Sequence, residues 1–108
     1  MEQLAIVEKD GANYHVYELT GALNAYTIGE FAETLYNAVR ESNIVLDMSK
    51  LVELDPAGIG VLMAAFNDSE EFENKLYFMS ISSEVDKAIA ATGFKYEFHL
   101  INSVTEVK

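Results

Sequence analysis

Leu54-Asp55-Pro56-Ala57-Gly58-Ile59-Gly60-Val61-Leu62 is the stretch on which the fold turns. Asp55 is placed as a helix N-cap, because a carboxylate there accepts the orphan amide hydrogens of the first turn. Pro56 is the only proline in the chain. It falls at the first helical position, where its missing N–H costs nothing. Ile59, Leu62, Met63 and Phe66 then follow at i, i+3, i+4 and i+7, the spacing of one helical face. Upstream, Ile44-Val45-Leu46-Asp47-Met48 is a short, nearly continuous apolar run, as expected for a strand covered on both faces. The pattern is therefore a buried strand feeding, through a short loop, a helix whose amino end stands above the sheet edge. That end carries positive partial charge and free N–H groups, which makes it the candidate working surface.

Outward from there, a chain of 108 residues predicts one domain spanning 1–108 with a single core. Half its residues are hydrophobic and 23% are charged, a globular composition. There is no cysteine, which excludes disulfides and thiolate metal sites. The first residues lack the basic stretch of a signal peptide, and the longest apolar run, Val61 to Phe66, is too short to span a bilayer. The expected location is cytoplasmic. Eighteen acidic against seven basic side chains leave a net charge of −11, which repels phosphate backbones and anionic lipid. Neither nucleic-acid binding nor membrane insertion is expected. A basic patch on a partner protein would suit this charge.

Gln3 to Glu8 and Tyr14 to Leu19 read as two strands joined through Lys9 to Asn13 as a hairpin. Gly21 to Ala25 reads as a loop. Thr27 and Glu30 form a capping box opening a helix with Ile28, Phe31, Leu35, Ala38 and Val39 on one face. The helix from Pro56 reaches about Phe72, and Lys75 to Ile81 is the next strand. Ser83 with Asp86 resembles a weaker capping box, ahead of Val85, Ala88, Ile89 and Thr92, with Gly93 ending that helix in the left-handed region. Glu97 to Ile101 is the last strand, and Ser103 with Glu106 caps a final turn. The order β-β-α-β-α-β-α-β predicts an α/β fold, mostly parallel after the opening hairpin, with crossover helices.

Three segments carry a resemblance to the STAS domain, the fold of bacterial anti-sigma factor antagonists. Gly21-Ala22-Leu23-Asn24-Ala25-Tyr26-Thr27 resembles the family's Gly-x-Leu/Ile-Asp-x-x-Thr loop. Val45-Leu46-Asp47-Met48-Ser49 resembles its strand ending in Leu-Asp-Leu-Ser. Leu54 to Leu62 resembles its Asp-Ser-x-Gly-Leu-Gly-x-Leu signature. The resemblance implies a partner-switching regulator of transcription. Its expected partners are an anti-sigma factor and serine kinase of the histidine-kinase-like ATPase type, with a PP2C-type phosphatase as a further one. In such proteins the second residue after the signature aspartate is commonly a phosphorylated serine. Here that position is Ala57, Pro56 stands where serine is usual, and Asn24 replaces an aspartate. No phosphoryl transfer can occur at Ala57. A natural member with a lost or moved switch, an engineered serine replacement, and a scaffold-type STAS protein all remain open. The departures at Pro56 and Asn24 together favour natural divergence over a single engineered change.

Catalytic chemistry finds little support. Asp47 with Asp55 does not make a response-regulator site, which also needs an acidic pair after the first strand and a lysine after the last. His15 and His99 lie in predicted strands with no ligand partner at sequence spacing, so neither a metal nor general-base work is expected. No cofactor motif is present, and Gly58 and Gly60 read as positions of close backbone packing. Tyr14, Tyr17, Phe31, Phe66, Phe78 and Phe98 are expected in the core. Tyr26 is a candidate contact residue. Ser42, Ser49, Ser69, Ser80, Ser82 and Ser83 carry hydroxyls that could take over phosphorylation, with Ser82 and Ser83 placed on the same sheet end as Ala57. The expectation is thus a non-catalytic protein-binding module docking through Asn24, Tyr26, Thr27, Asp55, Pro56, Ala57, Gly58 and Ile59. The alternative is an accessory subunit or scaffold of a lipid-transport ATPase or a sensory complex.

Overall fold

The computed structural model describes residues 3–93 and 97–107. Strands β1 (Leu4–Asp10) and β2 (Tyr14–Leu23) form the opening antiparallel hairpin, with Asp10 opposite His15. Helix α1 (Ile28–Glu41), strand β3 (Asn43–Leu54), helix α2 (Pro56–Glu71), strand β4 (Leu76–Met79), helix α3 (Ser83–Ala90) and strand β5 (His99–Ile101) follow, with a closing 3-10 turn at Val104–Glu106. The sheet order is β1-β2-β3-β4-β5, parallel from β2 onward. The expected element order and mostly parallel sheet are what the structure shows.

Strands joined in sequence by right-handed crossovers advance across the sheet in one direction, so their helices collect on one face. The packing agrees: Leu19, Ile44, Leu46, Met48 and Phe78 from the strands share one core with Phe31, Leu35 and Val39 of α1, Leu62 and Ala65 of α2, and Val85 and Ile89 of α3. The opposite face is thinner. There Val16, Val45, Tyr77 and Ile101 are covered by Val104 and Val107 of the closing segment. The Ser103–Glu106 cap expected for that segment is formed, with Glu106 Oε2 accepting from the Ser103 amide at 3.0 Å. Among the expected core aromatics, Tyr17, Phe31, Phe66, Phe78 and Phe98 are buried and Tyr14 is half-buried.

Several local expectations are corrected. β2 continues through Gly21–Leu23, which the sequence reads as loop. β3 runs on past Met48 to Leu54, without the short loop expected before α2. The reason is visible in the pairing. β4 lies only along Ile44–Asp47, so beyond that point β3 has β2 as its sole sheet neighbour among the described residues, and its buried positions thin out to Met48 and Leu51. Two register shifts let β3 keep pace with β2: Glu18 faces Asp47 but Thr20 faces Lys50, and Gly21 faces Leu51 but Ala22 faces Glu53. Asp47 orders the first of these bulges, since its Oδ1 accepts from the Ser49 amide at 3.1 Å and hydroxyl at 2.8 Å.

The strands β4 and β5 are shorter than expected: Glu97, in a 3-10 turn, and Phe98, in a bend, precede β5. α3 is capped by Ser82, one residue before the expected Ser83; its hydroxyl accepts from the Val85 amide at 3.3 Å. Gly93 does take the left-handed conformation, at φ 81°. The buried stripe of α2 is Gly58, Val61, Leu62, Ala65, Phe66 and Ser69, one step round from the expected Ile59-Leu62-Met63-Phe66 face. Ile59 and Met63 lie at its margin, half-buried. That margin is set by Gly58, which brings the first turn hard against β2.

Gly60, read with Gly58 as a close-packing position, is exposed, and a β-carbon there would meet nothing within 4 Å. Gly60→Ala should therefore stabilise the protein by about 0.5–1 kcal/mol, through helix propensity and a less flexible unfolded chain. Thermal unfolding followed by circular dichroism checks this; a lower Tm would contradict the open placement.

Candidate functional site

The carboxyl ends of β2 and β3 lie side by side, and each releases its chain into a helix. Two loop-to-helix junctions are thereby pinned together. Asp55 makes the link. Its Oδ1 accepts from the Gly58 amide at 2.9 Å, the expected N-cap bond, and its Oδ2 accepts from the Ala25 amide at 3.1 Å. Its own amide donates to the Leu23 carbonyl at 3.2 Å. One aspartate thus holds the first turn of α2 and the chain entering α1 in a fixed relation. An aliphatic residue could reproduce none of the side-chain bonds.

Asn24 is the second organiser. It is only 7% exposed, and both ends of its amide are used. Oδ1 accepts from the Tyr26 amide at 2.9 Å, an Asx turn, while Nδ2 donates to Glu53 Oε1 at 3.0 Å. Its backbone carbonyl accepts from both the Thr27 and Ile28 amides, so the turn runs directly into α1. The Thr27–Glu30 capping box is therefore corrected. Thr27 makes no side-chain cap bond; its hydroxyl donates to the Ala22 carbonyl and accepts from the Asn24 amide, both at 2.9 Å. Asn24, not Thr27, organises this helix entry.

Together these bonds set out a small surface. Tyr26 is 80% exposed on the turn, and Pro56 is exposed at the first position of α2. Ala57 and Ile59 are half-buried, so Ala57 is not sealed beneath neighbouring segments. Gly58 and Asn24 lie below. Both are buried in the free domain: a β-carbon on Gly58 would stand 2.6 Å from the Leu23 carbonyl oxygen and 2.9 Å from Leu54 Cδ1. Two participants were missed by sequence reasoning, Glu53 and the Ala25 amide. The Asn24-Ala25-Tyr26 turn pattern carries a signal for the second, whereas Glu53 reaches Asn24 only through the bulged register.

The alternative hydroxyls separate clearly. Ser69 is fully buried and donates to the Phe66 carbonyl at 2.7 Å, and Ser49 is engaged with Asp47. Ser82 and Ser83 follow the carboxyl end of β4, on the same end of the sheet as the start of α2. The histidines differ from expectation in having acidic neighbours. His99 Nε2 lies 3.5 Å from Glu70, and the hairpin register brings His15 Nδ1 to 2.6 Å from Asp10 and 3.6 Å from Glu8. Two clefts are formed by described residues. One, of about 120 Å³, lies between Phe66 and Phe98; the other, of about 250 Å³, lies between Ile6 and Phe31. No helix among the described residues is long and apolar enough to cross a membrane.

An α/β domain with all crossover helices on one sheet face and a capped helix entry at the strand ends is the class these features define. The STAS domain model matches residues 3–107, and the chain belongs to that family. The fold is similar to that of an anti-sigma factor antagonist from Mycobacterium paratuberculosis, at a TM-score of 0.82 and 17% identity over 95% of this chain and 89% of that one. It is also similar to the anti-sigma factor antagonist SpoIIAA in its unphosphorylated form, at 0.79 and 16% identity, covering 94% and 91%. The Bacillus cell fate determinant SpoIIAA in its phosphorylated form matches at 0.74 and 15%, covering 94% and 95%.

Proposed function

We propose that this STAS domain is a non-catalytic regulatory module related to anti-sigma factor antagonists, which docks on a histidine-kinase-like anti-sigma ATPase through Tyr26, Pro56, Ala57 and Ile59. Asn24, Thr27, Asp55 and Gly58 act from beneath, holding the two helix entries in register. The observation that carries this reading is the partly accessible, uncharged Ala57 in the first turn of α2, flanked by exposed Pro56 and Tyr26 on a turn pinned at both ends. A rigid platform of small and aromatic side chains suits close approach of a partner. The acidic surface favours an encounter with a basic face.

In this family setting Ala57 stands at the phosphoacceptor position, so association would be governed by abundance or by another site and not by phosphate on α2. Binding to the anti-sigma ATPases of the same genome, measured by calorimetry, tests the reading. Saturable 1:1 binding to at least one is expected, and Tyr26→Ala should weaken it by roughly tenfold, the loss of an exposed aromatic anchor. Failure of every such ATPase to bind would overturn the assignment. Ala57→Ser supplies a hydroxyl at the same place and is expected to be phosphorylated by the cognate ATPase, read by mass spectrometry.

A further inference from the structure

At the far end of β1 and β2 from the docking platform, the hairpin gathers a second set of polar groups. Antiparallel pairing sets Asp10 opposite His15 and Glu8 opposite Tyr17. Residues alternate faces along a strand, so Glu8, Asp10, His15 and Tyr17 project to the same side. Lys9 lies on the other face, where it pairs with Glu18 at 3.2 Å. The hairpin itself is held firmly: the Gly11 amide donates to the Tyr14 carbonyl at 2.8 Å, and Asn43 Nδ2 donates to the Asn13 carbonyl at 3.3 Å.

One donor atom from each of Glu8, Asp10 and His15 falls within 4.8 Å of the others. His15 Nδ1 is 3.6 Å from Glu8 Oε2, near the spacing of about 3.3 Å between two ligands that each lie about 2.0–2.1 Å from a tetrahedral ion. Asp10 Oδ1, hydrogen-bonded to the same nitrogen at 2.6 Å, would exchange that bond for one to the ion and move outward by well under an ångström. Two exposed carboxylates flank the imidazole on a chain of net charge −11, a local field that suits a cation.

We propose that Glu8, Asp10 and His15 form a binding site for a divalent first-row transition metal ion of the zinc type. Imidazole nitrogen with two carboxylates favours zinc, nickel or copper over magnesium or calcium, which prefer all-oxygen shells. Three protein ligands on an exposed hairpin leave the remaining positions to water or to a group from another molecule. The site is independent of the docking platform, since it lies at the opposite end of β1 and β2. Occupancy would neutralise part of the acidic surface and tie the two strands of the edge hairpin together.

Calorimetric titration of the intact chain with zinc chloride tests this. Saturable binding of one ion is expected, with His15→Ala lowering the affinity tenfold or more and His99→Ala leaving it unchanged. In NMR spectra the His15 ring signals should shift with zinc while those of His99 stay in place. Circular dichroism verifies that both variants keep the fold. Absence of saturation, equal affinity in His15→Ala, or a zinc response centred on His99 would each overturn the proposal.

Discussion

Ala57→Glu is expected to leave the fold intact while cutting affinity for the partner ATPase by about a hundredfold. Two opposite electrostatic consequences of one charge produce this. Within the free domain, a carboxylate in the first turn of α2 meets the positive end of the helix macrodipole, worth about 0.3–1 kcal/mol. Asp55 already occupies the Gly58 amide and adds a like charge nearby, so the net gain is at the low end of that range. Tm should be unchanged or raised by a few degrees. In the proposed complex the same carboxylate would be carried from water into a contact built around a methyl group. An uncompensated charge in a closed interface costs about 3 kcal/mol or more, which sets the hundredfold figure. The measurement is a pair: thermal unfolding of the variant alone, and its titration into the ATPase. Unchanged affinity with an unchanged Tm would place the contact elsewhere on the domain. Ala57→Ser, uncharged and nearly isosteric, should bind like the parent until it is phosphorylated and then behave like the glutamate variant.

Much of this architecture is legible in the residues. The Asp55-Pro56 pair and the alternating strands and amphipathic helices dictate the element order, and sequential right-handed crossovers leave one plausible sheet. What escapes is whatever depends on partners distant in sequence. The polar tail of β3 reads as loop because only one neighbour stabilises it, and the pairing that keeps it extended is a property of β2. Thr27 has the spacing of a capping box, yet its hydroxyl is claimed by the Ala22 carbonyl, an interaction set by the turn around Asn24. Asp10 and Glu8 come to His15 through hairpin register, not through sequence spacing. At the proposed docking platform, the sequence names the residues that gather around the two helix entries but cannot separate those that face outward from those that lie beneath. Asn24 and Gly58 belong to the second group because of one amide network and one close backbone approach.

That approach supports the other large effect, Gly58→Ala, which should destabilise the protein by about 2–3 kcal/mol and lower Tm by roughly 10–20 °C. In most helices this exchange is favourable, because alanine restricts the unfolded chain and has the higher helix propensity. Here the new methyl carbon would stand 2.6 Å from the Leu23 carbonyl oxygen, 2.9 Å from Leu54 Cδ1 and 3.0 Å from Leu23 Cγ. Side chains can yield, but the Leu23 carbonyl is backbone and also accepts the Asp55 amide. Relief therefore requires α2 to lift from β2, which pulls Asp55 away from either the Gly58 or the Ala25 amide. The steric cost thus outweighs the propensity gain and spreads into the hydrogen bonds that align the two helix entries. Gly60→Ala, two residues along the same helix and facing solvent, is the internal control, because the same chemical change there should raise Tm. The decisive result is the contrast in sign. If both alanines stabilise, α2 does not sit against the Leu23 carbonyl, and the rigid platform loses its foundation; if Gly58→Ala alone destabilises and also weakens partner binding while Tyr26 and Ala57 remain untouched, the support beneath the surface is shown to matter as much as the side chains on it.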